Sequence, residues 1–202
     1  MIKPYFETEL GKLYHGDCLK IMPELEPVDL VLTDPPYDGY ENYDWACVDL
    51  KRVFTDTYPE HHSFVFWSNK VAFPLDFTAR HIWAKANRNV GIYGEQYEEV
   101  YELNGKKTAL VLRHAVIDSK MNAQINGDVF TKHPTQKPFQ LILRILLKNK
   151  SKVVLDPFLG SGTTAVACER LNRRWIGIEI SEEYCEIAKQ RIINETRQLK
   201  LF

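Results

Sequence analysis

Short, nearly uninterrupted apolar runs alternate along this chain with longer stretches of helical patterning, and that alternation limits the fold more than any other feature. The runs at 12–14, 28–33, 63–67, 81–85, 153–155 and 175–179 are rich in β-branched and aromatic residues and have the length of strands. Strands that are apolar on both faces, rather than on alternate residues, belong in a sheet covered on both sides. Residues 48–57, 139–149, 163–171 and 182–198 carry the intervening helical spacing. In the last of these, Tyr184, Ile187, Ala188, Arg191 and Ile192 fall on one face. A doubly wound α/β sheet is the architecture that this order predicts. With 202 residues and no internal repeat, one domain is expected, large enough to bury a core without a disulfide or metal staple.

Two further strand-like runs, 97–103 and 108–117, are joined by Asn104-Gly105, a dipeptide favoured in tight hairpins, and predict an antiparallel pair. Residues 122–132 read as a loop. At 45% hydrophobic and 26% charged residues, the composition excludes disordered and collagen-like classes. Lys3, Glu7 and Glu9 interrupt any apolar leader, and the apolar stretch 139–147 contains Gln140 and Arg144. A cytoplasmic protein without membrane contact is the expectation. The four cysteines show no C-x-x-C spacing. Net charge is −1, but it is unevenly spread: residues 104–152 hold ten basic side chains against two acids, so that segment carries +8 and the rest of the chain −9. Such asymmetry suits a phosphate-binding face, although a solvated helix and loop would produce it equally well.

Two constellations carry chemistry. Asp156-Pro157-Phe158-Leu159-Gly160-Ser161-Gly162-Thr163-Thr164 follows a strand and opens a helix, with glycines where a tight turn and close ligand approach need them. Glu179 ends the next strand, 19 residues after Gly160, at the separation where an acid meets a ribose diol in nucleotide-binding units. Together these favour a nucleoside-containing cofactor over a merely structural glycine turn. The second constellation is Asp34-Pro35-Pro36-Tyr37, again at the end of an apolar strand. The prolines fix the backbone and remove two N–H donors, leaving their carbonyls as acceptors. Asp34 adds a charged acceptor and Tyr37 an aromatic face, which is the combination that an amino group on a planar heterocycle requires. A rigid capped turn is the bland alternative.

Taken together, these residues closely resemble the DNA amino-methyltransferases that use S-adenosylmethionine, in the family's beta group. Asp34 to Tyr37 match its D-P-P-Y catalytic block, and Phe158 to Gly162 match its F-x-G-x-G cofactor block, in that order along the chain. Gly16-Asp17-Cys18, Trp83 and Lys85, and the H-P-T-Q-K-P run at 133–138 extend the likeness over most of the chain. The resemblance implies a Rossmann-like, seven-stranded, mostly parallel sheet with one antiparallel strand, supplied near 97–117, in circularly permuted order. It implies that Asp34, Pro35, Pro36 and Tyr37 are catalytic. Asp156, Phe158, Gly160, Ser161, Gly162, Thr163, Thr164 and Glu179 would hold the cofactor, with Asp17 and Cys18 near its adenosine end and His133 and Lys137 near its methionine end.

The implied reaction is methyl transfer to the exocyclic amino group of adenine in double-stranded DNA, on a base flipped out of the helix and stacked on Tyr37. The amino group of cytosine, adenine in RNA, and a catalytically silent nucleic-acid-binding module are the alternatives. Methylation at carbon 5 of cytosine needs a cysteine nucleophile, typically within a Pro-Cys pair, and none of the cysteines here follows a proline. Target recognition would fall to the 27 residues 106–132, where Lys106, Lys107, Arg113, Lys120 and Lys132 suit phosphate contacts better than base reading. A homodimer would double that surface. The presence of a restriction partner is not legible.

Overall fold

The computed structural model describes residues 2–36, 49–57, 60–85, 97–105, 109–114, 129–131 and 136–199, apart from the side chains of Asp56, Thr57, Arg113 and His114. Its strands are β1 (Phe6–Glu7), β2 (Gly11–His15), β3 (Leu30–Thr33), β4 (Ser63–Trp67), β5 (Ala79–Lys85), β6 (Tyr97–Leu103), β7 (Val111–His114), β8 (Val153–Asp156) and β9 (Arg174–Glu179). The helices are α1 (Cys18–Ile21), α2 (Phe139–Leu147), α3 (Thr163–Arg170) and α4 (Glu182–Leu199), with a π-helical turn at Arg52–Thr57 inside the expected helix 48–57.

Among the described residues, nine strands join one sheet in the order β1-β2-β9-β8-β3-β4-β6-β5-β7. The C-terminal strands β8 and β9 thus lie between the N-terminal β2 and β3, as the permuted order requires. Within the run from β2 to β5, β6 alone opposes its neighbours, pairing antiparallel with both β4 and β5. That run is the expected seven-stranded scaffold. The two additional strands are short and sit at the edges: β1 is antiparallel to β2, and β7 is parallel to β5.

Alternate residues of each inner strand feed two apolar layers, which is why the strands read as continuous hydrophobic runs. Leu30 and Leu32 enter the layer beneath α2, α3 and α4 with Phe66, Leu141, Ala165 and Ile192. Val31 enters the opposite layer with Val53, Val65, Leu155 and Ile178.

The hairpin expectation is corrected. β6 and β7 are not neighbours, because β5 lies between them. Asn104 does adopt a left-handed turn with φ of 55°. Its side-chain amide then donates to the His61 carbonyl (3.2 Å), and the Gly105 N–H donates to Thr78 Oγ1 (3.1 Å), which tie the turn to the entrances of β4 and β5. A Cβ at Gly105 would overlap the Glu102 carboxylate. The glycine therefore serves close packing at the base of the sheet instead of a two-residue loop.

Candidate active site

β2, β9, β8, β3, β4 and β5 run parallel, so their carboxyl ends share one edge of the sheet. Open α/β sheets bind ligands at such an edge where the strand connections diverge, and here that point lies between β8 and β3. The two sequence constellations occupy those two strand ends. Thr33 Oγ1 donates to Asp156 Oδ1 at 2.7 Å and stitches them together.

The glycine turn after β8 is held through its backbone groups, which bond to the Glu179 carboxylate, the Ile178 carbonyl and Arg191. Gly160 N–H donates to Glu179 Oε2 (2.8 Å), Ser181 N–H donates to Glu179 Oε1 (2.8 Å), and Leu159 N–H donates to the Ile178 carbonyl (2.8 Å). Gly160 and Gly162 have φ of 54° and 85°, a region that side chains disfavour. A Cβ on Gly162 would also lie 2.9 Å from that of Ala188 on α4. Behind the turn, the buried Arg191 Nη1 donates to the Ser161 carbonyl (2.7 Å), Ser161 Oγ (3.0 Å) and Thr163 Oγ1 (3.0 Å). Thr163 and Thr164 open α3 and are buried.

Burial raises the Glu179 carboxyl above its usual range, and the Ser181 and Gly160 amides oppose that rise. Asp156 is pushed up to about 6, again mainly by burial, against hydrogen bonds from Thr164, Thr33 and the Phe158 amide. Glu179 accepts from the Gly160, Ser181 and Ile180 amides and, with two lone pairs on each oxygen, retains capacity for a ribose hydroxyl. A backbone this close-packed, ending on an acid, fits a nucleoside cofactor. Asp17 caps α1 by accepting from Leu19 N–H at 3.0 Å, and Gly16 N–H donates to the Glu179 carbonyl, which puts Asp17 beside this cradle. Cys18 is buried, its thiol pushed up to about 11 chiefly by burial.

The turn after β3 is organised by charged side chains. Asp34 Oδ2 accepts from Lys137 Nζ at 2.5 Å. Lys137 lies 3.6 Å from Glu98 Oε2, and Lys85 Nζ lies 2.7 Å from Glu98 Oε1. Lys137 also sits over the Phe66 ring, 5.5 Å from its centroid. Burial raises the Asp34 pKa, with Lys137 pulling it back. For Glu98 burial acts upward too, but Lys137 and Lys85 together leave its carboxyl below the usual range. Pro35 is buried, with Pro36 following it half-buried.

Lys137, expected near the methionine end of a cofactor, lies against the Asp34 carboxylate. The partners of Asp34, the bridging Glu98 and the Arg191 clamp were not found by sequence reasoning. Three glutamates in the strand-like run 97–103 were the available signal, because acids that a sheet buries need partners. Tyr37, His133, Lys106, Lys107, Lys120 and Lys132 lie outside the described residues, and Arg113 is described only as backbone in β7. Burial also raises the thiols of Cys168 and Cys185, the latter to about 12, so among the described cysteines none is poised as a nucleophile.

Comparison with known proteins places this arrangement. The profile of a family described as DNA methylase matches residues 53–190. Type II methyltransferase M.BamHI of Bacillus amyloliquefaciens is 29% identical over 99% of this chain, which spans 61% of that protein's length. DNA adenine methyltransferase YhdJ of Escherichia coli K12 is 28% identical over 93% of this chain and 84% of its own. The crystal structure of the M1.HpyAVI–SAM complex superposes with a TM-score of 0.59 at 28% identity, covering 90% of this chain and all of that one.

Proposed function

The chain belongs to the DNA methylase family, and from that premise we propose that it transfers a methyl group from S-adenosylmethionine to the exocyclic amino group of adenine in double-stranded DNA. The observation that carries this reading is the Thr33–Asp156 hydrogen bond, which locks the acceptor turn and the glycine turn onto adjacent strand ends. Adjacent strands are about 4.8 Å apart, so a group held at one turn is within reach of a group held at the other.

When bound, S-adenosylmethionine supplies an electrophilic methyl group on a sulfonium. Gly160, Ser161, Gly162, Thr163 and Thr164 shape its cradle, with Phe158 and Asp156 at the entry, Glu179 on the ribose and Asp17 and Cys18 at the adenosine side. His133 and Lys137 complete the cofactor set, near its methionine end. Asp34 and the Pro35 carbonyl accept hydrogen bonds from the target amino group, favouring a pyramidal nitrogen whose lone pair is free of the ring. As positive charge develops on that nitrogen, these fixed acceptors stabilise it. Holding both partners in line supplies much of the remaining acceleration. Asp34 must be ionised for this, since a protonated acid would present a donor. Pro36 stiffens the turn and Tyr37 stacks on the flipped base.

Aspartate at position 34, and the adenine named for the YhdJ relative, favour adenine over cytosine. Lys106, Lys107, Arg113, Lys120 and Lys132 contact phosphates in a small recognition insertion at 106–132 of a single domain, giving a short or relaxed target. A homodimer would extend that surface. Among the described residues, no helix is long and apolar enough to cross a membrane.

Nucleoside analysis of duplex DNA after incubation with protein and S-adenosylmethionine tests the reading. N6-methyladenine is expected, and N4-methylcytosine alone would overturn the base assignment. Neutralising Lys106 and Lys107 should weaken binding alike across sequences and flatten the salt slope by roughly 0.9 per lost phosphate contact. Equal slopes for variant and wild type would remove those lysines from the interface.

A further inference from the structure

Because β6 runs against the sheet, its amino end, not its carboxyl end, reaches the reactive edge. That end delivers Glu98, which pairs across β5 with Lys85 and reaches Lys137. The four side chains form an alternating line: Asp34, Lys137, Glu98, Lys85. All are largely withdrawn from water, at 24%, 12%, 18% and 11% exposure respectively. Ion pairs at this depth are coupled more strongly than surface pairs.

Asp34 faces a conflict if it acts as the acceptor. It needs a cation nearby to stay ionised within a dry site, yet a lysine devoted wholly to it would occupy the oxygen that the amino group must reach. Lys137 is not devoted wholly to it. Glu98 stands on its other side, and Lys85 in turn balances Glu98. We infer that Glu98 is a positioning residue for methyl transfer, holding Lys137 from its far side so that the lysine covers one Asp34 oxygen, Oδ2, and leaves the other open to the target amino group. This rests on the proposed role of Asp34.

Among the described residues, the charged groups around Asp34 are Lys137 before α2, Glu98 on β6, Lys85 on β5 and Asp156 on β8. Removing the Glu98 charge makes Asp34 easier to ionise while releasing Lys137, already bonded to Oδ2, to bridge both Asp34 oxygens. The two effects are separable: the acid limb of the pH–rate profile moves to lower pH, and the plateau rate falls.

The experiment measures single-turnover transfer to duplex DNA at saturating S-adenosylmethionine, across pH, for the full chain and for Glu98→Gln, Glu98→Asp and Lys85→Met/Glu98→Gln. Calorimetry of the cofactor is run on each. Transfer by the unaltered chain establishes the underlying reading, and its absence sinks that reading. Given that activity, Glu98→Gln is expected to lose tenfold or more in rate with unchanged cofactor affinity and an acid limb at lower pH. Glu98→Asp should lose less and shift the same way, and it carries the test alone if the glutamine variant fails to fold. The double variant, with charge balance restored, should recover part of the loss. Variant rates within threefold of the unaltered chain, an unmoved acid limb, or a double variant slower than Glu98→Gln would each overturn the inference.

Discussion

The turns after β8 and β3 sit on neighbouring strands and share a hydrogen bond, but they are built from different physical interactions. The first is a matter of shape: glycines at positive φ, amides committed to Glu179, and a carbonyl clamped by Arg191. The second is a matter of charge, with Asp34 set against Lys137 and, through it, Glu98 and Lys85. Changes in the glycine turn should therefore appear as lost cofactor affinity and stability. Changes in the acceptor turn should appear as lost rate and altered pH dependence.

The largest expected effect is that of Asp34→Ala. Removing a fixed acceptor aimed at developing charge should lower single-turnover transfer by about 10²- to 10³-fold while leaving cofactor affinity and the melting temperature nearly unchanged. A comparable loss of affinity would break the division. Gly162→Val tests the other side. Strain at φ of 85° and overlap with Ala188 should destabilise the fold by roughly 2–4 kcal/mol, read by denaturant unfolding. An unaffected unfolding midpoint would show that the turn is softer than its packing suggests. Glu179→Ala should weaken S-adenosylmethionine binding by roughly 1.5–3 kcal/mol, since it removes a charged partner of the ribose and leaves the Gly160, Ser181 and Ile180 amides unanswered.

A subtler effect belongs to Asp156, which joins the two regions. Its folded pKa, about 6, stands above the ordinary 3.8, so the native state holds a proton between those values that the unfolded chain has released. This contribution favours the fold at low pH and is lost as pH rises from about 4 to about 6, by an amount on the order of 2–3 kcal/mol. Asp156→Asn should flatten that part of the stability–pH curve relative to the unaltered chain. Parallel curves for the two proteins would place the carboxyl's titration elsewhere.

Much of this contrast was legible in the sequence, because both turns consist of contiguous residues. The glycines, Glu179 and the Asp-Pro-Pro run each follow an apolar strand whose two covered faces leave a continuous hydrophobic signature. The seven-stranded, mostly parallel sheet with one antiparallel strand that the family resemblance implied was also found between β2 and β5. What escaped was non-local. Glu98 and Lys137 meet Asp34 across 64 and 103 positions, and no periodicity encodes such a meeting. Asn104-Gly105 misled for a related reason. Its local preference for a turn is satisfied, but the turn is bonded to Thr78 and His61, and β5 rather than β7 lies beside β6. Arg191 was visible as one of the residues on the inner face of the last helix, and only its contact with Ser161 reveals it as a clamp.

The central claim, that one turn governs cofactor affinity and the other governs transfer, is tested most directly by comparing Asp34→Ala and Glu179→Ala over a titration of S-adenosylmethionine. Single-turnover transfer to duplex DNA is the readout. The account predicts that Glu179→Ala approaches the unaltered rate once cofactor saturates, while Asp34→Ala stays slow at every concentration with an unshifted half-saturation point. Two variants that remain equally slow at saturation, or an Asp34→Ala half-saturation point shifted as far as that of Glu179→Ala, would contradict it.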